Sequence, residues 1–320
     1  MFSLTKKSKE RSSFAAVVPN QEGVGFADFD LSGDIPKLNA SGFVFWGPEG
    51  FSKKIVQANA KKFGLLNKHC TTVMELGDYS VLSAEAPDVP EEELRGAIRW
   101  QIKELIDFHI DDAVIDIFDA PASGVGGRQR SLYVVVSKMS VVKDQVTSLQ
   151  EAELNLSTID VPELVLRNIT RYLPEDQDGV AFIYLSKQQG LVVLTRESTL
   201  YLARTLDIGT EFLQQANIDP LNFDKTEMNA QYDRLTLEVQ RSIDYYDRYF
   251  TLPPLKGVVL APTDTEIPGL VDYLGFNLGL NCRVLDINEI ISSKVPLEIQ
   301  QQAHCLMAIG AALRQEKKSF

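Results

Sequence analysis

Cysteine, histidine and tryptophan are scarce in this chain, at three, three and two copies among 320 residues. Cys70, Cys282 and Cys305 are far apart and odd in number, which points away from a disulfide framework or a paired-cysteine metal site. They read as small buried hydrophobes in a reducing compartment. His69, His109 and His304 show no paired metal-ligand spacing. No uninterrupted apolar run reaches the length of about 18 residues that a bilayer span needs. A phosphate-binding glycine turn is also missing: Gly124, Gly126 and Gly127 lie in a loop at 123–130 between two strand-like segments, not between a strand and a helix. Spacing assembles no Ser-His-Asp set, paired catalytic carboxylates or metal cluster, so no catalytic residue and no metal ligand is assigned.

Charge excludes a further class. The net charge of −12 argues against a general nucleic-acid binder, which needs clustered Lys and Arg. Basic residues do gather at the ends, with Lys6, Lys7, Lys9 and Arg11 at one and Arg314, Lys317 and Lys318 at the other. They read as solubilising tails, with a brush against anionic lipid as the second reading. The apolar stretch 14–18 ends at Pro19 and is too short for a signal peptide's core, so the expected address is the cytoplasm.

Length allows two domains, each with its own core. Residues 14–46 alternate short apolar runs with turn residues, as a strand meander does. A helix is expected at 52–63, and strands at 71–74 and 79–83 around a Gly77-Asp78 turn. Pro87 and Pro90 with Glu91, Glu92 and Glu93 open another helix, acids against its positive end. Its expected core stripe is Leu94, Ile98, Ile102 and Leu105, and Trp100 falls off that stripe. Strands at 113–118 and 131–137 and a helix at 141–153 complete a unit at about 88–160 that looks inserted.

The second half repeats the plan. After a helix at 162–173, strand-like runs at 180–185, 191–195 and 200–206 form a second meander. Leu235, Val239, Ile243, Tyr246 and Phe250 then share one face of a long helix, stopped by Pro253 and Pro254. The run 255–261 has consecutive apolar residues, as a strand covered on both sides does.

This doubled plan resembles the actin-like ATPase fold: an α/β architecture of mixed sheets in two lobes, with a small inserted subdomain like that of the cell-division protein FtsA. The specific resemblance is to the PilM family of type IV pilus assembly proteins. It is carried by the segments EEELRGAIRWQ at 91–101, LYLARTLDIG at 200–209, LEVQRSIDYY at 237–246 and IPGL at 267–270, and by the terminal AIGAAL at 308–313. Within the family the likeness is greatest to members serving mannose-sensitive haemagglutinin (MSHA) pili. It implies a first lobe at 1–160 containing the insert and a second at 161–320, with a C-terminal helix at about 296–315 returning to the first.

Departures from the family's ATP-binding pattern bear on function. Where nucleotide-binding members carry an Asp-x-Gly turn in the first hairpin, this chain has Val17-Val18-Pro19; the second such turn is replaced by Ile183-Tyr184-Leu185, and the adenosine-side glycine pair by Pro262-Thr263. Carboxylates help hold Mg²⁺, and glycines let backbone N–H groups approach phosphates, whereas proline removes the donor. At about 2 kcal/mol per lost element, three losses take a micromolar ligand, bound by about 8 kcal/mol, out of detection. No cofactor is therefore expected, and no enzymatic activity. ATP with Mg²⁺ at an atypical site using Asp28 or Asp264, gating partner binding, is the alternative; Asp30 neighbours Asp28 on the same expected strand. A sugar-kinase-like enzyme lacks its base and phosphate loops.

The resemblance implies a cytoplasmic scaffold, peripheral to the inner membrane. Its partner would be the N-terminal peptide of a bitopic PilN-like protein, MshJ-like in an MSHA system, together with other assembly-platform components. The family's peptide groove is bordered by the insert, which makes Trp100, Tyr133 and Val135 the candidate wall.

Overall fold

The computed structural model describes residues 2–3, 13–122, 130–215 and 230–315. Lys6, Lys7, Lys9, Arg11, the glycines of the 123–129 loop, Lys317 and Lys318 lie outside these residues. The first half comprises β1 (Phe2–Ser3), β2 (Ser13–Pro19), β3 (Gly23–Asp30), β4 (Lys37–Phe45), α1 (Lys53–Lys62), β5 (His69–Val73), β6 (Tyr79–Glu85), α2 (Glu91–Gln101), β7 (Ala113–Asp119), β8 (Ser131–Lys138), α3 (Met139–Glu151) and β9 (Asn155–Asp160). The second comprises α4 (Pro162–Thr170), β10 (Val180–Leu185), β11 (Gly190–Arg196), β12 (Thr199–Leu206), α5 (Thr210–Gln214), α6 (Ala230–Tyr249), β13 (Gly257–Leu260), α7 (Leu270–Leu278), β14 (Asn281–Val284), β15 (Ser292–Ser293) and α8 (Ile299–Ala312).

Two large sheets share one topology. The first runs β1-β9-β5-β2-β3-β4-β15 and the second β12-β11-β10-β13-β14. In each, three antiparallel strands of a meander are followed by two strands that pair parallel beside the meander's first strand. The parallel pairs need helical crossovers, which cover the faces and demand apolar residues on both sides of the central strands. In β10 and β13, Phe182 and Val259 face one core while Ala181, Ile183, Val258 and Leu260 face another. The first core is shared with the other sheet through α4, and the second lies under α6 and α7.

Helix α8 packs on β2, β3, β4 and β5, so the end of the described chain rests on the first sheet. It also crosses α4 closely at Gly310. A Cβ at that position would lie 2.7 Å from the carbonyl oxygen of Val165, and Asn168 Nδ2 donates to the Gly310 carbonyl at 3.0 Å. Arg314, expected in a solvated tail, is 8% exposed just beyond this helix.

The third sheet, β6-β8-β7, packs its Leu132, Val134 and Val136 against Leu94, Ile98 and Ile102 of the α2 segment. Its limits differ from the expected 88–160 span. It begins at Tyr79, while β9 belongs to the first large sheet. The segments at 71–74 and 79–83 therefore enter different sheets and form no hairpin, because β5 finds parallel partners in β2 and β9. Leu105 is 60% exposed because α2 stops at Gln101, before the helical stripe reaches it.

Candidate functional site

The two meanders point their first turns at each other. Residues 20–22 join β2 to β3, residues 186–189 join β10 to β11, and a cleft of about 220 Å³ lies between them. Its walls are completed by His304, Met307 and Ala308 of α8, by Pro162 at the start of α4, and by the segments after β5 and β13.

In both turns, some of the backbone donors are engaged within the protein. Asn20 Oδ1 accepts from the N–H groups of Glu22 and Gly23, both at 2.9 Å. In the opposite turn, Gln189 N–H donates to Ser186 Oγ at 3.1 Å, and Ser186 Oγ donates in turn to the Gln189 carbonyl at 2.8 Å. Thr210 and Glu211, in the first turn of α5, donate their N–H groups to the carbonyls of Ser186 (2.9 Å) and Lys187 (3.0 Å). Gly209 permits this seating, since a Cβ there would lie 2.2 Å from the Lys187 oxygen.

The field in the cleft is set mainly by carboxylates. Lys187 Nζ pairs with the Glu22 carboxylate across the gap, and Asp264 and Glu75 line the same space. Burial, with Asp78 nearby, raises the Glu75 pKa above its ordinary value. Burial pushes the Tyr184 phenol up to about 12, helped by the charges of Glu22, Glu75 and Asp264. Three acids against one lysine oppose a polyphosphate, and that lysine is already paired. Among the described residues, no group of three or more His, Cys, Asp or Glu side chains is placed to hold a metal ion.

Of the positions expected to be degenerate, Pro19, Leu185, Pro262 and Thr263 line the cleft, whereas Val17 and Ile183 are core residues at 1% and 0% exposure. Asp28 is 2% exposed and turned away from the cleft: its Oδ2 meets Lys68 Nζ at 2.6 Å and Asn39 Nδ2 at 3.1 Å. The residues that shape the turns, Asn20, Glu22, Ser186 and Lys187, were not singled out in the sequence. Their signal is a short polar segment closed by glycine after the first strand of each meander, NQEG and SKQQG.

The proposed groove wall does not assemble. Trp100 is 74% exposed on α2, with Lys103 Nζ 5.8 Å from its ring centroid. Tyr133 points from the opposite face of the third sheet and donates its hydroxyl to the Tyr201 carbonyl at 2.6 Å, joining β8 to β12. Val135, two residues along that face, is completely buried in the main core.

Two lobes whose sheets share the same order of five strands, facing across a cleft at their first meander turns, define the actin-like ATPase fold. Among solved structures, the chain is similar to one from a PilM-PilN type IV pilus biogenesis complex, with TM-score 0.73, 20% identity, and coverage of 94% of this chain and 97% of that one. It is also similar to the cytoplasmic domain of EpsL, an inner-membrane component of the type II secretion system of Vibrio cholerae, with TM-score 0.52, 11% identity, and coverage of 95% and 97%. No family model matches the sequence, and no curated protein matches it.

Proposed function

We propose that this chain is a non-catalytic scaffold of a type IV pilus assembly platform, a PilM-like protein of the MshI type serving an MSHA pilus. Its partner in this reading is the cytoplasmic N-terminal peptide of a bitopic, PilN-like (MshJ-like) inner-membrane protein, which holds the scaffold at the cytoplasmic face of that membrane. The observation that carries the reading is the agreement of fold along nearly the whole of both chains with the PilM-PilN structure. The cleft supports the non-catalytic part. Its turns engage the N–H groups of Glu22, Gly23 and Gln189 with Asn20 and Ser186, and its lysine is held by Glu22. Among the described residues no helix is long and apolar enough to cross a membrane, which fits recruitment through a membrane-spanning partner.

One observation favours an ATP-gated switch instead: open space of about 220 Å³ persists between the lobes. Calorimetric titrations separate the two readings. The scaffold reading expects no heat from Mg-ATP up to high micromolar concentration and saturable binding of a synthetic peptide copied from the partner's cytoplasmic head. Micromolar Mg-ATP binding would overturn the lost-site reading, and absence of peptide binding would overturn the partner.

A further inference from the structure

The outer edge of the first large sheet is open. Strand β4 pairs with β3 along its length, but on its other side β15 covers only Lys37 and Leu38. Trp46 N–H donates to the Glu22 carbonyl at 2.9 Å, which fixes the phase of the ladder. Gly42 and Val44 direct their backbone groups toward β3, and Ser41, Phe43 and Phe45 direct theirs outward. Among the described residues, those outward groups meet no other strand. Asn39 is the extra residue of a bulge, and the strand after it is regular.

Monomeric proteins usually guard such an edge with Lys, Pro or distortion. Here residues 38–46 carry no charge and no proline. Phe43 stacks on His304 at 4.9 Å, and Phe45 meets both rings edge-on at 5.0 and 5.1 Å while remaining 58% exposed. Ile35 precedes the strand, Val295 follows β15, Ile299 opens α8, and Phe51 packs on Trp46; all four are exposed. A patch of this kind on a soluble chain marks an interaction surface.

We infer that this edge pairs with the same edge of a second copy, antiparallel about a two-fold axis through Phe43. That operation places Phe43 opposite its equivalent and each Phe45 opposite the other copy's Ser41, so the aromatic and small side chains interleave. Because the segment is uncharged, no like charges face each other even though each copy carries −12. Net repulsion between two acidic copies is screened by salt, so this association strengthens as ionic strength rises, whereas docking to a basic partner weakens.

The test is sedimentation velocity of the full chain from about 1 to 200 µM, a range that resolves micromolar dissociation constants. Two variants accompany it. Ser41→Pro removes an outward N–H and none of the bonds to β3, and Phe45→Lys adds a charge at an exposed side chain. The expected result is a dimer favoured by salt, weakened at least tenfold by either change while circular dichroism and melting stay unaltered. A wild-type chain that is monomeric throughout, or a dimer indifferent to both changes, overturns the inference. If Ser41→Pro unfolds the chain, Phe45→Lys decides alone.

Discussion

Glu22 and Lys187 form an ion pair that crosses the cleft and ties the first turn of one sheet to the first turn of the other. In the nucleotide-binding pattern of this fold those turns are bridged by metal and phosphate. Here two side chains of the protein bridge them directly, with Asn20 and Ser186 holding each turn rigid from behind.

Lys187 is half exposed, so the pair contributes about 1 kcal/mol or less to stability. Lys187→Glu is expected to leave the melting temperature nearly unchanged while placing two carboxylates face to face. Amide exchange should then accelerate in both turns, 20–22 and 186–189. Unchanged exchange in either turn would show that the pair does not hold the lobes.

Glu163 lies in the first turn of α4, 3% exposed, and accepts the Tyr79 hydroxyl at 2.8 Å. Burial pushes its carboxyl up to about 7, and Asp160 adds to the shift while the Tyr79 hydrogen bond opposes it. The folded pKa exceeds the unfolded one, so the folded state binds the extra proton. The stability this provides is complete below the unfolded value and is lost as pH rises to about 7. Melting temperature should fall between pH 5 and pH 7.5, and Glu163→Gln should flatten that slope. An equal slope in both proteins would assign it to other groups.

Gly310 sets the distance between α4 and α8. Gly310→Val drives a branched side chain into Val165 and is expected to cost about 1–3 kcal/mol, read as a lower urea midpoint with an unchanged slope. A midpoint within error of wild type would mean that the helices separate without penalty.

Trp100 stands on α2 with most of its ring in solvent. Trp100→Ala should therefore alter stability by less than about 0.5 kcal/mol. A loss of binding to the partner peptide would then report a contact, whereas unaltered affinity removes this residue from the docking surface.

Much of the architecture is legible from period and punctuation. The stripe from Leu235 to Phe250 gives α6, the double proline at 253–254 its end, and the apolar run at 257–260 a strand buried on both faces. Pairing was less accessible. Thr71 and Tyr79 sit on strands of similar pattern separated by a turn, yet they enter different sheets, since parallel partners far along the chain compete with the local hairpin. The three candidate wall residues are separated for a related reason. The alternation along β8 reveals two faces but not which of them meets the body of the protein.

By itself the sequence determined the two meanders and the helices that follow them. These are properties of local order, which short-range sterics and hydrophobic period encode. Only the tertiary structure decided that Glu22 meets Lys187, that Asp28 is spent on Lys68, that Val135 is sealed in the core, and that among the described residues β4 meets β15 only at Lys37 and Leu38. Each depends on contacts between residues dozens to more than a hundred positions apart, fixed by how the sheets close around a shared core and invisible to any local pattern.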